Sequence, residues 1–468
     1  MLAILAQAAL AAPLSCAPAS DDARAALQAL RAENGPDAAA ARRQTESGPA
    51  DLARARAAAV ATGIPLDPAR LQRRPVAPAL DAAPLYVRLG RLRRPNRADS
   101  LDLSLDPPNP RYAYTPAQIA RVRRSLGHQR EALSLAHQAA SRPYCVFRRD
   151  WSRGQEVLLS EYQYQGAAVR LLRTEAYLWA RDGHPTEAIR NAVLVLHVAD
   201  QFASDPTMSG YLGSQDIEAK GLDVLADVLE VSHGNPQTAR QVLDIMATRL
   251  PHRSLWYAAA GEFSSWLITL DSLRMKWEPG WAWDVQSGRL VDLADPTPDR
   301  PVVAVSPEEH RLLAGLWDAW EAHLLTDTAR QVTLLRAGTP PQNIVPGPSA
   351  VRGWADRVLR LPGGPLRNPL LAGLGEVQKR GLARKNVLRT AAALLADPAH
   401  PLRPLPDPFT GRPLGFRREG RRGFVVYSVG EDGTFRGGHS NDPPVPWTIL
   451  FRFPAPKPSP LPEFYDWL

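Results

Sequence analysis

Cysteine is nearly absent from this sequence: only Cys16 and Cys145 occur in 468 residues. No CxxC pair or Cys/His ligand set accompanies them, which excludes a zinc finger or ribbon and a disulfide framework. Lysine is scarce too, so the net charge of +8 comes almost entirely from arginine. The arginines are dispersed instead of forming a stripe, and no nucleic-acid partner is expected from them. Long apolar runs are missing as well: nothing approaches the ~20 residues a helix needs to cross a bilayer. Specific catalytic motifs are also lacking. Ser428 lies among glycines, but Val426 occupies the place of the first glycine of a nucleophile elbow. Glu309-His310 lacks the second histidine of a zincin. No cofactor is expected.

What the sequence does contain is helix, sharply punctuated. With 44% apolar residues and 45 prolines, the chain has ample core-forming material and many stops. Residues 160–250 organise the rest. Val169, Leu172, Ala176 and Trp179 recur at helical steps and predict a helix over 161–180, ended by Arg181-Asp182-Gly183. His184-Pro185-Thr186-Glu187 opens a second helix, because proline's missing N–H is harmless in a first turn. Its Ala192-Val193-Leu194-Val195-Leu196 run predicts burial on most sides. Asp205-Pro206 is expected to cap and open a third helix, striped by Leu222, Leu225, Val228 and Leu229. Gly234-Asn235-Pro236 then starts a fourth. Gly127, Gly183 and Gly234 each precede an alanine by five residues, which resembles the middle of a tetratricopeptide repeat. The units recur roughly fifty residues apart instead of the family's 34.

Met1 to Ala12 reads as the apolar and small-residue part of an export leader, with Ala9-Leu10-Ala11 as the nearest cleavage site. Within this signal or anchor segment (1–20), Cys16 is a candidate for lipidation. The expected location is the periplasm or cell envelope, with membrane association through the N-terminus. Residues 21–110 form an Ala/Pro/Arg-rich arm, partly ordered, with helices at 22–33 and 50–62. A central helical domain over 111–336 follows. In it, Thr115-Pro116-Ala117-Gln118 carries a capping box and opens a helix to about Ser141. Cys145, in an apolar link, reads as a buried, inert thiol.

The helix expected over 254–276 holds Trp256, Tyr257, Phe263 and Trp266 around Glu262. A carboxylate in apolar surroundings disfavours its charged form and can act as a general acid. Glu262 is therefore the candidate catalytic residue, in a cleft beside the Trp277–Trp283 turn. Ser306-Pro307-Glu308-Glu309, a second capping box, opens a helix through Arg336. Residues 337–369 form a Pro/Gly-rich linker or lid, and 370–400 a helix with a basic surface including Lys379, Arg384 and Arg389. A small β appendage with a Pro-rich tail occupies 401–468. Phe416–Glu419 and Gly423–Gly430 form its hairpin, and Trp447–Phe453 its third strand.

The pattern Asp407-Pro408-Phe409, Gly411, Pro413-Leu414, Tyr427-Ser428-Val429-Gly430 and Asp432-Gly433 resembles the C-terminus of type II secretion major pseudopilins. More closely, it is similar to the tail of a group of uncharacterised bacterial (planctomycete-like) envelope proteins. Those pair such a tail with a helical region and an N-terminal membrane anchor, and offer no activity to carry over. The resemblance implies a pilin-like end piece. In pseudopilins this loop holds calcium, which makes Asp407 and Asp432 the metal-ligand candidates here. Thr434-Phe435-Arg436-Gly437 stands where further acidic residues belong, so no metal is expected.

The fold expected is mainly α, built of irregular helical hairpins with tetratricopeptide-like packing and a small C-terminal β-hairpin or sheet appendage. The function expected is a non-catalytic exported scaffold binding other envelope proteins. A hydrolase-type enzyme using Glu262 in a Trp-lined cleft is the alternative. Nucleic-acid binding through the basic surface is a third.

Overall fold

A computed structural model describes residues 23–34, 37–92, 112–248, 255–277, 281–284, 290–292, 302–339, 352, 354–355, 358, 369–397, 404–420, 423–430, 449–454 and 459–460. Its first helices are α1 (Ala23–Arg31), α2 (Ala38–Ala61), α3 (Pro68–Leu71), α4 (Ala83–Leu92), α5 (Pro116–His128) and α6 (Arg130–Ala140). The centre is α7 (Tyr162–Arg181), α8 (Pro185–Phe202), α9 (Met208–Val231) and α10 (Pro236–Thr248). Then come α11 (Leu255–Trp277), α12 (Pro307–Arg336) and α13 (Pro369–Ala396). The strands are β1 (Tyr112–Ala113), β2 (Trp281–Asp284), β3 (Leu290–Asp292), β4 (Val302–Ala304), β5 (Gly415–Glu419), β6 (Gly423–Ser428), β7 (Ile449–Phe453) and β8 (Ser459–Pro460).

Local chemistry sets most helix ends. Thr115 and Gln118 close the expected box, with Gln118 N–H donating to Thr115 Oγ1 at 3.2 Å and Thr115 N–H to Gln118 Oε1 at 2.9 Å. Ser306 and Glu309 do the same before α12. Gly183 and Gly234 take φ of +81° and +69°, the left-handed values that end a helix cheaply only with glycine. Three expectations change. The helix expected from Thr115 to Ser141 breaks at Gln129 (φ −100°, ψ 23°) into α5 and α6, just after helix-weakening Gly127. The helix expected at 50–62 begins at Ala38 and runs through Pro49. Trp281–Trp283, expected as a turn, belongs to strand β2.

Burial gathers in three main clusters. The first joins α1, α2, α11 and α12 around Leu27, Leu313 and Trp317, with Trp354 and Val358 of the expected linker buried in it. The second joins α8, α9, α10 and α13 to the C-terminal sheet through Leu225, Leu229, Val242, Ala391 and Val426. The third joins α4, α6, α7 and α8 around Tyr86, Leu135, Leu172 and Val195. Helix α9 reaches all three: Met208 and Tyr211 enter the first, Ile217 the third, and Leu222 and Leu225 the second.

Close crossings bring backbones together at several glycines. A Cβ on Gly48 of α2 would lie 2.5 Å from the carbonyl oxygen of Gly315 in α12, and one on Gly315 2.7 Å from that of Thr45. A Cβ on Gly261 of α11 would collide with the carbonyl of Pro206, so α11 rests directly on the 204–207 loop. The C-terminal sheet is antiparallel, in the order β5-β6-β7, with Phe416 opposite Val426 and Val426 opposite Phe451. Its central strand is buried on both faces at Val425 and Val426, which makes the sheet continuous with the second core.

Candidate functional site

The polar centre of the molecule is the loop leading into α9. Asp205 was expected to cap that helix, but Thr207 does so, accepting from Gly210 N–H at 2.9 Å. Asp205 instead accepts from Arg149 Nη2 at 2.7 Å, because the Arg142–Trp151 link passes beneath the loop. The Arg149 side chain, 2% exposed, also donates to Glu161 Oε2 at 2.9 Å and to the Leu158 carbonyl at 3.0 Å. Its guanidinium lies 5.2 Å and 5.4 Å from the ring centres of Phe147 and Tyr162, within cation–π range. Burial works against that charge, yet the carboxylates of Asp205 foremost and then Glu161 hold the guanidinium above its ordinary value. The Tyr162 hydroxyl donates to Asp205 Oδ2 at 3.2 Å and sits 3.2 Å from Thr207 Oγ1. Burial and then the Asp205 charge push its pKa well up, so it stays a neutral donor.

Glu262, on the other side of the same loop, is 8% exposed. Its Oε2 accepts from Met208 N–H, the first residue of α9, at 3.1 Å, and its Oε1 from Gln155 Nε2 at 3.1 Å. Burial raises its pKa, opposed by these two hydrogen bonds. Among the described residues, its hydrogen-bond partners are thus a backbone N–H and an amide. Phe263 turns into the first core, and Arg336 covers the Trp256 ring at 4.3 Å. The side chains of Trp277, Trp281 and Trp283 lie outside the described residues, and with them the cleft expected beside Glu262.

Cys145 is buried, as expected. Burial pushes its thiol well up, and the charges of Asp205 and Asp81 add to this, leaving an unreactive thiol. Cys16 lies outside the described residues.

Asp407 is 2% exposed, and both its carboxylate oxygens are occupied. Oδ1 accepts from Phe409 N–H and Ser428 Oγ, each at 3.0 Å, and Oδ2 from Val429 N–H at 3.0 Å. Its backbone closes the turn around Gly411, whose φ is +70°. The segments Asp407–Phe409 and Ser428–Gly430 are therefore bonded to one another. Asp432 lies outside the described residues. Among the described residues, no three His, Cys, Asp or Glu side chains converge as metal ligands would.

Two further charged clusters went unnoticed in the sequence, where their members stand far apart. Arg56 of α2 bonds Glu321 of α12 and Asp271 of α11, each at 2.6 Å. Burial, then Asp271, raises the Glu321 pKa, and Arg56 counters them. Glu175 Oε2 of α7 lies 2.6 Å from His137 Nε2 of α6 and accepts from Asn191 Nδ2 of α8 at 2.7 Å. Burial pushes Glu175 up, but the His137 and Asn191 bonds outweigh it and hold the carboxyl below its ordinary value.

Comparison of the chain with protein-family models, with curated proteins and with solved structures finds no match.

Proposed function

We propose that the chain is a non-catalytic helical scaffold, exported to the cell envelope, that binds other proteins there. The observation that carries this reading is the occupation of Glu262: one oxygen ties the start of α9 and the other ties Gln155. The carboxylate best placed by sequence for chemistry thus works as a joint between segments. Asp205, Glu161, Glu175 and Asp407 are engaged in the same way. In this reading the α7–α8 and α9–α10 hairpins present the partner surface, in the manner of tetratricopeptide hairpins. Export draws on the leader-like first residues and on the envelope proteins the tail resembles. No helix among the described residues is long and apolar enough to cross a membrane.

Cross-linking in intact cells, followed by capture from envelope fractions, should recover the chain with protein partners, its N-terminus shortened in mass spectra. Recovery of an intact N-terminus in the cytosolic fraction, without partners, would overturn the reading. The raised pKa of Glu262 favours a second reading, a hydrolase in which Glu262 donates the proton. Turnover of an ester, glycoside or peptide substrate that disappears in Glu262→Gln, with folding retained, would replace the scaffold reading by this one.

A further inference from the structure

Between α3 and α4 the chain runs along the surface in a third kind of backbone, neither helix nor strand. Arg73-Arg74-Pro75-Val76-Ala77-Pro78 carries two prolines three residues apart. Each proline pushes the residue before it out of the helical region, towards polyproline II. The angles agree: Gln72, which ends α3, has φ −71° and ψ 124°, and Ala77 has φ −57° and ψ 134°. A 3-10 turn, Pro78–Leu80, follows. Polyproline II has three residues per turn, so Pro75 and Pro78 line one edge of the stretch.

Both ends of this stretch are fixed to the Arg142–Trp151 link. Gln72 Nε2 donates to the Phe147 carbonyl at 3.1 Å, and Gln72 Oε1 accepts from Arg149 N–H at 3.0 Å. At the far end Asp81 Oδ1 accepts from Val146 N–H at 2.9 Å, and Tyr144 N–H donates to the Leu80 carbonyl at 3.2 Å. Between these anchors Arg74, Pro75, Ala77, Pro78 and Ala79 are exposed, and only Val76 is half-buried. No backbone hydrogen bond among the described residues reaches the carbonyls of Arg74, Pro75 or Val76. Two large apolar side chains at the far end, Leu80 and Tyr144, are 44% and 42% exposed. The stretch is thus held extended before anything binds it, which lowers the cost of ordering it in a complex.

That chemistry selects one kind of partner. Proline has no N–H to give a ladder, so a stretch with prolines three apart is a poor strand to add to a sheet edge. A groove lined with aromatic side chains suits it: ring faces flank the proline edge, and indole N–H or phenol O–H groups donate to the open carbonyls. Arg74, exposed beside the first proline, would meet a carboxylate at the rim. We propose that Arg74–Leu80 is a preformed polyproline ligand for a partner protein with an aromatic groove and an acidic rim. This adds a second contact to the scaffold reading; it rests on that reading's protein partner, but on neither export nor the hairpin surface.

The test places a photo-cross-linking amino acid at Ala77 of the full chain and, in parallel, at exposed His197 of α8, in intact cells. The Ala77 position should capture a protein through aromatic residues, mapped by mass spectrometry, and a synthetic peptide of residues 71–82 should compete. Binding of the captured protein to the purified chain should weaken at least about tenfold in P75A/P78A. R74Q should weaken it roughly two- to fivefold, a difference that disappears in high salt. R384Q, on exposed α13, should leave it unchanged. The peptide carrying P75A/P78A should also stop competing, a result that misfolding of the variant chain cannot produce. Absence of capture from Ala77, capture through residues that are not aromatic, or binding indifferent to the two prolines overturns the proposal. Capture from His197 without capture from Ala77 overturns it while leaving the scaffold reading standing, and capture from neither overturns both.

Discussion

Two kinds of helix contact coexist in this chain. Where α11 meets the loop before α9, and where α2 crosses α12, a glycine lets backbone touch backbone, and buried charges are bonded alongside. Where α5 meets α7, the contact consists of aliphatic side chains with an ion pair at the surface. The first kind resists sliding, because a displaced carboxylate or guanidinium is left buried without its partner. The second rests on apolar packing, which tolerates small shifts without leaving a buried charge unpaired.

The sharpest break of that contrast is Arg149→Ala. It leaves Asp205 and Glu161 at the junction without their cation and should cost about 3–5 kcal/mol in urea unfolding. A loss below about 1 kcal/mol would mean that the junction is held no more firmly than the α5–α7 contact. Gly261→Val comes next. Its side chain would run into the carbonyl and ring of Pro206, and about 1–3 kcal/mol of strain is expected, read as a lowered Tm. The matching change on α5, Gly127→Ala, meets nothing within 4 Å and should be neutral or stabilise by up to about 1 kcal/mol.

The pH dependence separates two of the joints. Glu262 binds its proton more tightly folded than unfolded. Its share of stability is therefore full in acid and is lost as pH rises from the ordinary carboxylate value through its raised one. Glu175 has the opposite sign: its share is present above the ordinary carboxylate value and is lost as pH falls through its lowered one. Unfolding curves of Glu262→Gln across acid to neutral pH should lose the first slope, and those of Glu175→Gln the second. The smallest global effect is expected for Val122→Ala: overall stability should move by less than about 1 kcal/mol. Amide exchange in α5 should nevertheless rise roughly tenfold, with α7 and α8 unchanged.

Much of the fold was legible because its signals are local. The boxes at Thr115-Pro116 and Ser306-Pro307, and the stops at Gly183 and Gly234, have partners within a few residues, so a short stretch of sequence contains the whole interaction. The pattern around Asp407 was also visible. Its physical meaning was not, since Asp407 binds Ser428 and Val429 from across the sheet. Glu262 was recognisable as a carboxylate bound for burial. That its oxygens would hold Met208 and Gln155, 54 and 107 residues away in sequence, was not.

Asp205 shows most plainly where sequence stops deciding. Asp-Pro before an apolar helix is a sound local cap, and in isolation it would be one. In the folded chain Arg149 arrives from 56 residues away, and a buried guanidinium bonds a carboxylate more strongly than a backbone N–H does. Thr207, two residues on, takes the cap. Sequence alone determined the helices, most of their ends and their apolar faces, because propensity, capping and periodicity act within a few turns of chain. Tertiary structure decided which glycines are crossings, which carboxylates are joints and which helices share a core. Each of those depends on a second segment that only folding brings into contact.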